Sequence, residues 1–192
     1  MKKYWLTKGL RYTLTLSLFA AISAMTLSVT NQFTAPIIAE TEQKRLEETL
    51  AQMLPEADEF RLMPIDEDYD VYLGIKEGLM SGVILPAESR GFYGEPVEIL
   101  ILVNTDGEIK NVEIQRHRET PGIGTKIEKP EFLSQFTGEG RHLLEDNDDA
   151  LEGFLKSNIV TVSGATVSSS AVITGVGQAL EEFAATSSSL FE

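Results

Sequence analysis

The run Val97-Glu-Ile-Leu-Ile-Leu-Val103, then Asn104-Thr-Asp-Gly107, then Val112-Glu-Ile-Gln115 decides the fold class. The first piece is strongly apolar and β-branched, the composition of a strand. Asp106-Gly107 is a hairpin turn signal, and Val112–Gln115 alternates as its partner strand should. Upstream, Tyr69–Ile75 and Leu79–Leu85 read as two short strands joined near Gly78. Downstream, Pro130–Phe136 and Asp149–Lys156 read as short helices, Ile159–Val162 as a strand and Val172–Ala184 as a final helix. Thr186–Ser189 reads as a frayed tail. Strands followed by helices make the predicted class α+β.

Outside this body the chain changes character. Lys2, Lys3, Lys8 and Arg11 are the only charges before Glu40, and no residue between Arg11 and Glu40 is charged. That stretch includes Leu14, Leu16, Leu18, Phe19, Ile22, Met25, Leu27, Val29 and Phe33. A hydrocarbon core about 30 Å thick needs roughly 20 helical residues, so the segment is long enough to span one. A secretory signal has an apolar region of only about 7–15 residues, which favours a retained anchor. Basic residues on the N-terminal side predict a cytoplasmic N-terminus and an external body. Pro36 punctuates the exit, Glu40–Leu54 has helical spacing, and Pro55 stops it.

Net charge is −14, and the first 39 residues carry +4, leaving −18 on the body. An acidic body excludes nucleic acid, whose phosphates need Lys and Arg. The chain has no cysteine. Disulfides and thiolate-bound iron–sulfur clusters are therefore excluded, and any redox chemistry needs a borrowed cofactor.

Two short motifs carry chemistry. Ser163-Gly164-Ala165-Thr166 joins the strand expected before it to the helix expected after it, with Ser168–Ser170 as natural N-cap residues. A helix N-terminus offers unsatisfied N–H donors and partial positive charge, which suit a phosphate on Thr166. On its own the tetrapeptide is a capped turn with a hydroxyl. The second motif, Glu119-Thr120-Pro121-Gly122-Ile123-Gly124, follows His117-Arg118 after the hairpin. Its proline and glycines permit close approach of a flat ligand. It lacks the third glycine of a dinucleotide fingerprint, and Lys126 does not complete a P-loop.

Taken in order, Gly91–Val97, Asp106-Gly107, His117–Gly124, Phe132–Phe136 and Ser163–Val172 resemble the FMN-binding domain family. That domain is shared by the G subunit of the Rnf electron-transport complex and the C subunit of the sodium-pumping NADH:quinone reductase. The resemblance includes the N-terminal anchor, and the compact length is more similar to the Rnf protein. It implies FMN held covalently through a phosphoester on Thr166. Ser163, Gly164 and Ala165 would be the recognition context of a flavin transferase that donates FMN from FAD, and Glu119, Thr120, Pro121 and Gly122 would lie against the flavin. Val160-Thr161-Val162 stands where many members carry an acidic residue.

The resemblance implies no stand-alone catalysis and no metal. The expected role is electron transfer within an ion-translocating ferredoxin:NAD oxidoreductase, in contact with its other membrane and peripheral subunits. The expected organisation is a cytoplasmic N-terminus over 1–11, a transmembrane helix over 12–34 and a linker helix over 35–57. An extracytoplasmic FMN-binding domain over 58–185 and a tail over 186–192 follow. The expected location is the inner membrane, with the domain in the periplasm.

Other constellations are weaker. A hydroxyl nucleophile with His117 as base and Glu119 as its orienter would make a hydrolase. No Gly-x-Ser-x-Gly elbow accompanies it. His142 reads as a surface histidine, and Glu145–Asp149 as an acidic surface segment. Asp66, Asp68, Asp70 and Glu77 approximate a calcium loop, but Val71 stands where that loop needs glycine. A cofactor-free membrane-anchored binding or assembly module remains the alternative from another class.

Overall fold

A computed structural model describes residues 2–66, 69–138 and 159–186. The chain divides into two compact units, Met1–Glu47 and Glu48–Glu192.

The first unit is the greater part of α1, a helix over Lys2–Met53 whose segment Gly9–Met53 is long and apolar enough to cross a membrane. Its large apolar side chains from Leu10 to Ile38 are exposed. The hydroxyls of Thr13, Thr15, Thr26, Thr30 and Thr34 each donate to the carbonyl four residues earlier. Hydroxyls satisfied inside their own helix need no water, as a hydrocarbon surrounding demands. The break expected at Pro36 is absent, because α1 runs through it. A proline removes one ladder bond, and the helical pattern on both sides outweighs that loss. Glu40–Leu54 is therefore not a separate helix but the end of α1, which stops before Pro55.

The second unit is built on a five-stranded antiparallel meander in the order β1-β2-β3-β4-β5. The strands are β1 Glu59–Asp66, β2 Tyr69–Lys76, β3 Leu79–Arg90, β4 Pro96–Val103 and β5 Ile109–Arg116. Positive φ at Glu77 and Gly78 closes the β2–β3 hairpin, as its two-residue turn requires. The β4–β5 loop is longer. The Asn104 side chain accepts from the N–H groups of Asp106 and Glu108, and Gly107 takes φ +80°. β4 is buried along almost its whole length, which explains why it reads as continuously apolar rather than alternating. β1 was not anticipated: Met63-Pro64 and its acidic end hide the alternation.

Among the described residues the unit has two further helices: α2 over Pro130–Leu133, continued by a 3-10 turn over Ser134–Phe136, and α3 over Thr166–Thr186. α3 lays Val172, Val176, Ala179, Leu180 and Phe183 into the same core as Val83, Leu85, Ile99 and Ile101. Phe132 and Phe136 close that core edge to face, with ring centroids 5.4 Å apart. The resulting class is α+β, as expected.

Two expectations about the approach to α3 are corrected. Ile159–Val162 is not a strand. Its backbone bonds to side chains instead: Val160 N–H to Gln135 Oε1 and Val162 N–H to Ser169 Oγ. α3 also starts at Thr166, six residues before the expected Val172, so Ser168–Ser170 lie inside the helix rather than capping it. Ser168 and Ser169 are buried there because their hydroxyls have partners within the domain. The helix expected at Asp149–Lys156, the acidic segment Glu145–Asp149 and His142 lie outside the described residues.

Candidate functional site

Both sequence motifs come together at the start of α3. Glu119 is buried, and its carboxylate accepts two hydrogen bonds. Phe92 N–H donates to Oε1 at 2.8 Å, and the Ser168 hydroxyl donates to Oε2 at 2.6 Å. A charged acceptor makes each bond worth about 1.5–3 kcal/mol. Two glycines leave room for this side chain. A Cβ on Gly91 would stand 2.2 Å from Oε1, and one on Gly124 would stand 2.7 Å from Oε2. Those glycines are therefore needed for close approach.

Around this link, the 119–124 loop is tightly wound. The Thr120 carbonyl accepts from the N–H groups of Ile123, Gly124 and Thr125, and Gly122 N–H donates to Thr125 Oγ1. Pro121 and Gly122 remain exposed. Tyr93 and Thr120 share a hydrogen bond between hydroxyls at 3.0 Å. Phe92 and Tyr93 stand edge to face, 5.0 Å apart, and both are exposed, as are Ile123 and Val167.

The attachment loop is a turn. Ala165 N–H donates to the Val162 carbonyl, and Gly164 at φ +81° occupies the third position, where only glycine sits without strain. Ala165 is buried, while Ser163, Gly164 and Thr166 are exposed. Ser169, fully buried, donates to the Ala165 carbonyl and accepts from Val162 N–H, so it fixes both ends of the turn. Thr166 is the first residue of α3, and its hydroxyl has no hydrogen-bond partner among the described residues. The ammonium of Lys126 donates to the Ser163 carbonyl at 3.2 Å.

His117 does not serve as a base toward Thr166. Its Nδ1 accepts from Glu119 N–H at 3.0 Å, which puts the ring proton on Nε2, facing Glu128 Oε1 at 2.9 Å. Both ring nitrogens are thereby used, and the geometry gives the hydrolase arrangement no support. Nor, among the described residues, does His117 bond the Glu119 carboxylate, whose oxygens accept from Phe92 N–H and the Ser168 hydroxyl. Asp70 lies in β2, and Val71, where a calcium loop needs glycine, is a fully buried strand residue; Asp68 lies outside the described residues. The sequence reading missed Ser168 as the link, Gly91 as its clearance and Lys126 as the neighbouring cation. Gly91, and Gly124 beyond the ligand approach expected of it, were the available signal.

A buried carboxylate tying a glycine-rich loop to an exposed helix-start threonine, beside exposed aromatic rings, defines a ligand-holding α+β domain behind a long apolar helix. The class is that of an FMN-binding domain, whose family model matches residues 92–181, while the model for the RnfG N-terminal region matches residues 1–53. The chain belongs to the family of G subunits of ion-translocating oxidoreductase complexes. It is 30% identical over 170 residues to the G subunit of the proton-translocating ferredoxin:NAD(+) oxidoreductase complex of Clostridium ljungdahlii, covering 88% of this chain and 89% of that one. It is also 30% identical to the G subunit of the ion-translocating oxidoreductase complex of Pseudomonas aeruginosa, covering 91% of this chain and 88% of that one.

Among solved structures, the crystal structure of Shewanella oneidensis NqrC matches with 27% identity and a TM-score of 0.46. That match covers 68% of this chain and 64% of NqrC, just under two thirds of its length. Family membership makes this chain an electron-transfer, redox subunit that binds FMN and is held to a membrane by its apolar helix.

Proposed function

We propose that the chain carries FMN covalently on Thr166 as the G subunit of an Rnf-type complex. In that complex it relays electrons in an ion-translocating ferredoxin:NAD oxidoreductase. The observation that carries this is the Glu119–Ser168 hydrogen bond, which places the glycine-rich loop against the helix start that presents Thr166. The groups present fit a phosphate-tethered flavin. Thr166 offers an unengaged hydroxyl, the first turn of α3 offers N–H groups that an α-helix leaves without acceptors, and Lys126 offers a cation. Phe92, Tyr93 and Ile123 offer exposed apolar surface for a flat ring.

Attachment by a flavin transferase balances simply. The Thr166 oxygen bonds the FMN phosphorus of FAD, the phosphoanhydride bond breaks, AMP leaves and the hydroxyl proton is released. When bound, FMN supplies the one- and two-electron chemistry that a chain without cysteine lacks. Glu119, Thr120, Pro121 and Gly122 hold the loop on which the flavin lies, and tuning of its potential falls to such contacts because the tether is remote from the ring. The phosphoester prevents loss of FMN outside the cytoplasm. The domain lies in the periplasm, and the complex's other membrane and peripheral subunits are its partners.

Co-expression with a flavin transferase tests this by intact mass and in-gel fluorescence. Wild type gains one FMN less one water, and Thr166→Val gains nothing. An unmodified wild type removes the proposal, and equal fluorescence in both moves the attachment elsewhere.

A further inference from the structure

Lys126 is held in an unusual place for a cation. It lies in the 3-10 turn Gly124–Glu128, directly after the glycine-rich loop, and its Nζ reaches across to the Ser163 carbonyl at 3.2 Å. The same nitrogen is 3.6 Å from where a Cβ would project from Gly164. The ammonium thus rests on the turn that leads directly into Thr166. In a body carrying −18, a lysine has many carboxylates to choose from. Lys126 nevertheless forms no ion pair among the described residues. One of its three donors is used, on a neutral carbonyl.

The position is also electrostatically unfavourable as it stands. Helix macrodipoles are positive at the N-terminus and disfavour cations there. Glu119, in the preceding loop, is not its counter-ion among the described residues: its oxygens accept from Phe92 N–H and the Ser168 hydroxyl. A cation on the turn that leads into an exposed hydroxyl at a helix N-terminus has a complementary ligand in an anion attached to that hydroxyl.

We propose that Lys126 is the counter-ion of the phosphoester on Thr166, a binding residue outside the Glu119–Gly122 and Ser163–Thr166 motifs. This rests on the covalent FMN proposed above. The pairing neutralises the one negative charge of a phosphodiester in a strongly acidic body. A point-like ammonium on a flexible stem suits this task, since a diester offers no need for a bidentate fork.

The test uses full-length wild type in detergent, with and without flavin, and competitive acetylation of its amines read by peptide mass spectrometry. Pairing with phosphate keeps the amine protonated, so Lys126 should react several-fold more slowly in the flavinylated form. High salt should restore its reactivity, because an exposed pair is screened. Lys110, on the β4–β5 hairpin, should react equally in both forms. No change at Lys126, or a decrease that salt does not relieve, overturns the proposal; the second result means the ring merely covers the amine. A second readout is the thermal midpoint. Flavinylation should raise it in wild type and in Lys126→Arg by a salt-sensitive increment that Lys126→Met lacks, and an equal increment in all three overturns the pairing. A wild type that takes up no flavin overturns both proposals, and intact mass identifies that case.

Discussion

The Ser168 hydroxyl donates to the Glu119 carboxylate at 2.6 Å, a buried bond between residues 49 apart in sequence. It ties the loop after β5 to the first turn of α3, so the position of Thr166 depends on a carboxylate in another motif. Glu119→Ala strands the Phe92 N–H and the Ser168 hydroxyl, and should cost about 3 kcal/mol. Ser168→Ala should cost about 2 kcal/mol. The double variant should lose less than the sum of the two. Urea unfolding followed by circular dichroism measures this, since the only tryptophan, Trp5, lies in α1. Strictly additive losses would mean the two residues act independently.

Clearance around the same carboxylate gives a second expectation. Gly124→Ala drives a methyl to 2.7 Å from Glu119, and Gly91→Ala drives one to 2.2 Å. Each should destabilise by about 1–3 kcal/mol through overpacking. In a Glu119→Ala background the added cost of Gly91→Ala should largely vanish, whereas Gly124→Ala should keep part of its cost, because its methyl also stands 2.7 Å from the Cβ of residue 119. A Gly91→Ala cost that is undiminished there would locate the strain elsewhere.

Thr166→Val should be nearly silent in stability, within about 0.5 kcal/mol, because the side chain is exposed and has no partner among the described residues. The same unfolding experiment checks this. A large loss would mean that missing flavin in this variant reports misfolding rather than a missing attachment atom.

Tyr69 predicts an alkaline limit. Its hydroxyl is buried without a hydrogen-bond partner among the described residues, and burial first, then the charge of Glu182, pushes its pKa well above 10.0. Below pH 10 the phenol is protonated in both states. Above it the unfolded phenol ionises while the folded one keeps its proton, so stability falls as pH rises until the folded pKa is passed. Tyr72, raised by burial and by Asp70, contributes with the same sign. Tyr69→Phe should gain about 1 kcal/mol at neutral pH and flatten the fall above pH 10. An unchanged alkaline slope would assign it to other groups.

Topology follows from the basic N-terminus. A reporter fused after Glu192 should be active only outside the cytoplasm. Replacing Lys2, Lys3 and Lys8 with glutamine should move part of the population to the opposite orientation. A cytoplasmic signal from the unmodified N-terminus would reverse the assignment.

Local chemistry made much of the molecule legible in the sequence. The uncharged run before Glu40, the turn at Asp106-Gly107 and the apolar strand Val97–Val103 each act over a few residues, and each stands where expected. Gly164 likewise marks the turn before Thr166, although Ser169 is what fixes both its ends. What the sequence left undetermined depends on partners distant in the chain. Ile159–Val162 has strand composition, but Gln135 and Ser169 supply its hydrogen bonds, so no ladder forms. Ser168 looks like a cap and is instead the buried donor to Glu119. Lys126 looks like an incomplete phosphate loop, until the tertiary structure sets its ammonium on Ser163. Backbone propensity is written in neighbouring residues, whereas the satisfaction of a buried or charged group is settled only by what folding brings within about 3 Å of it.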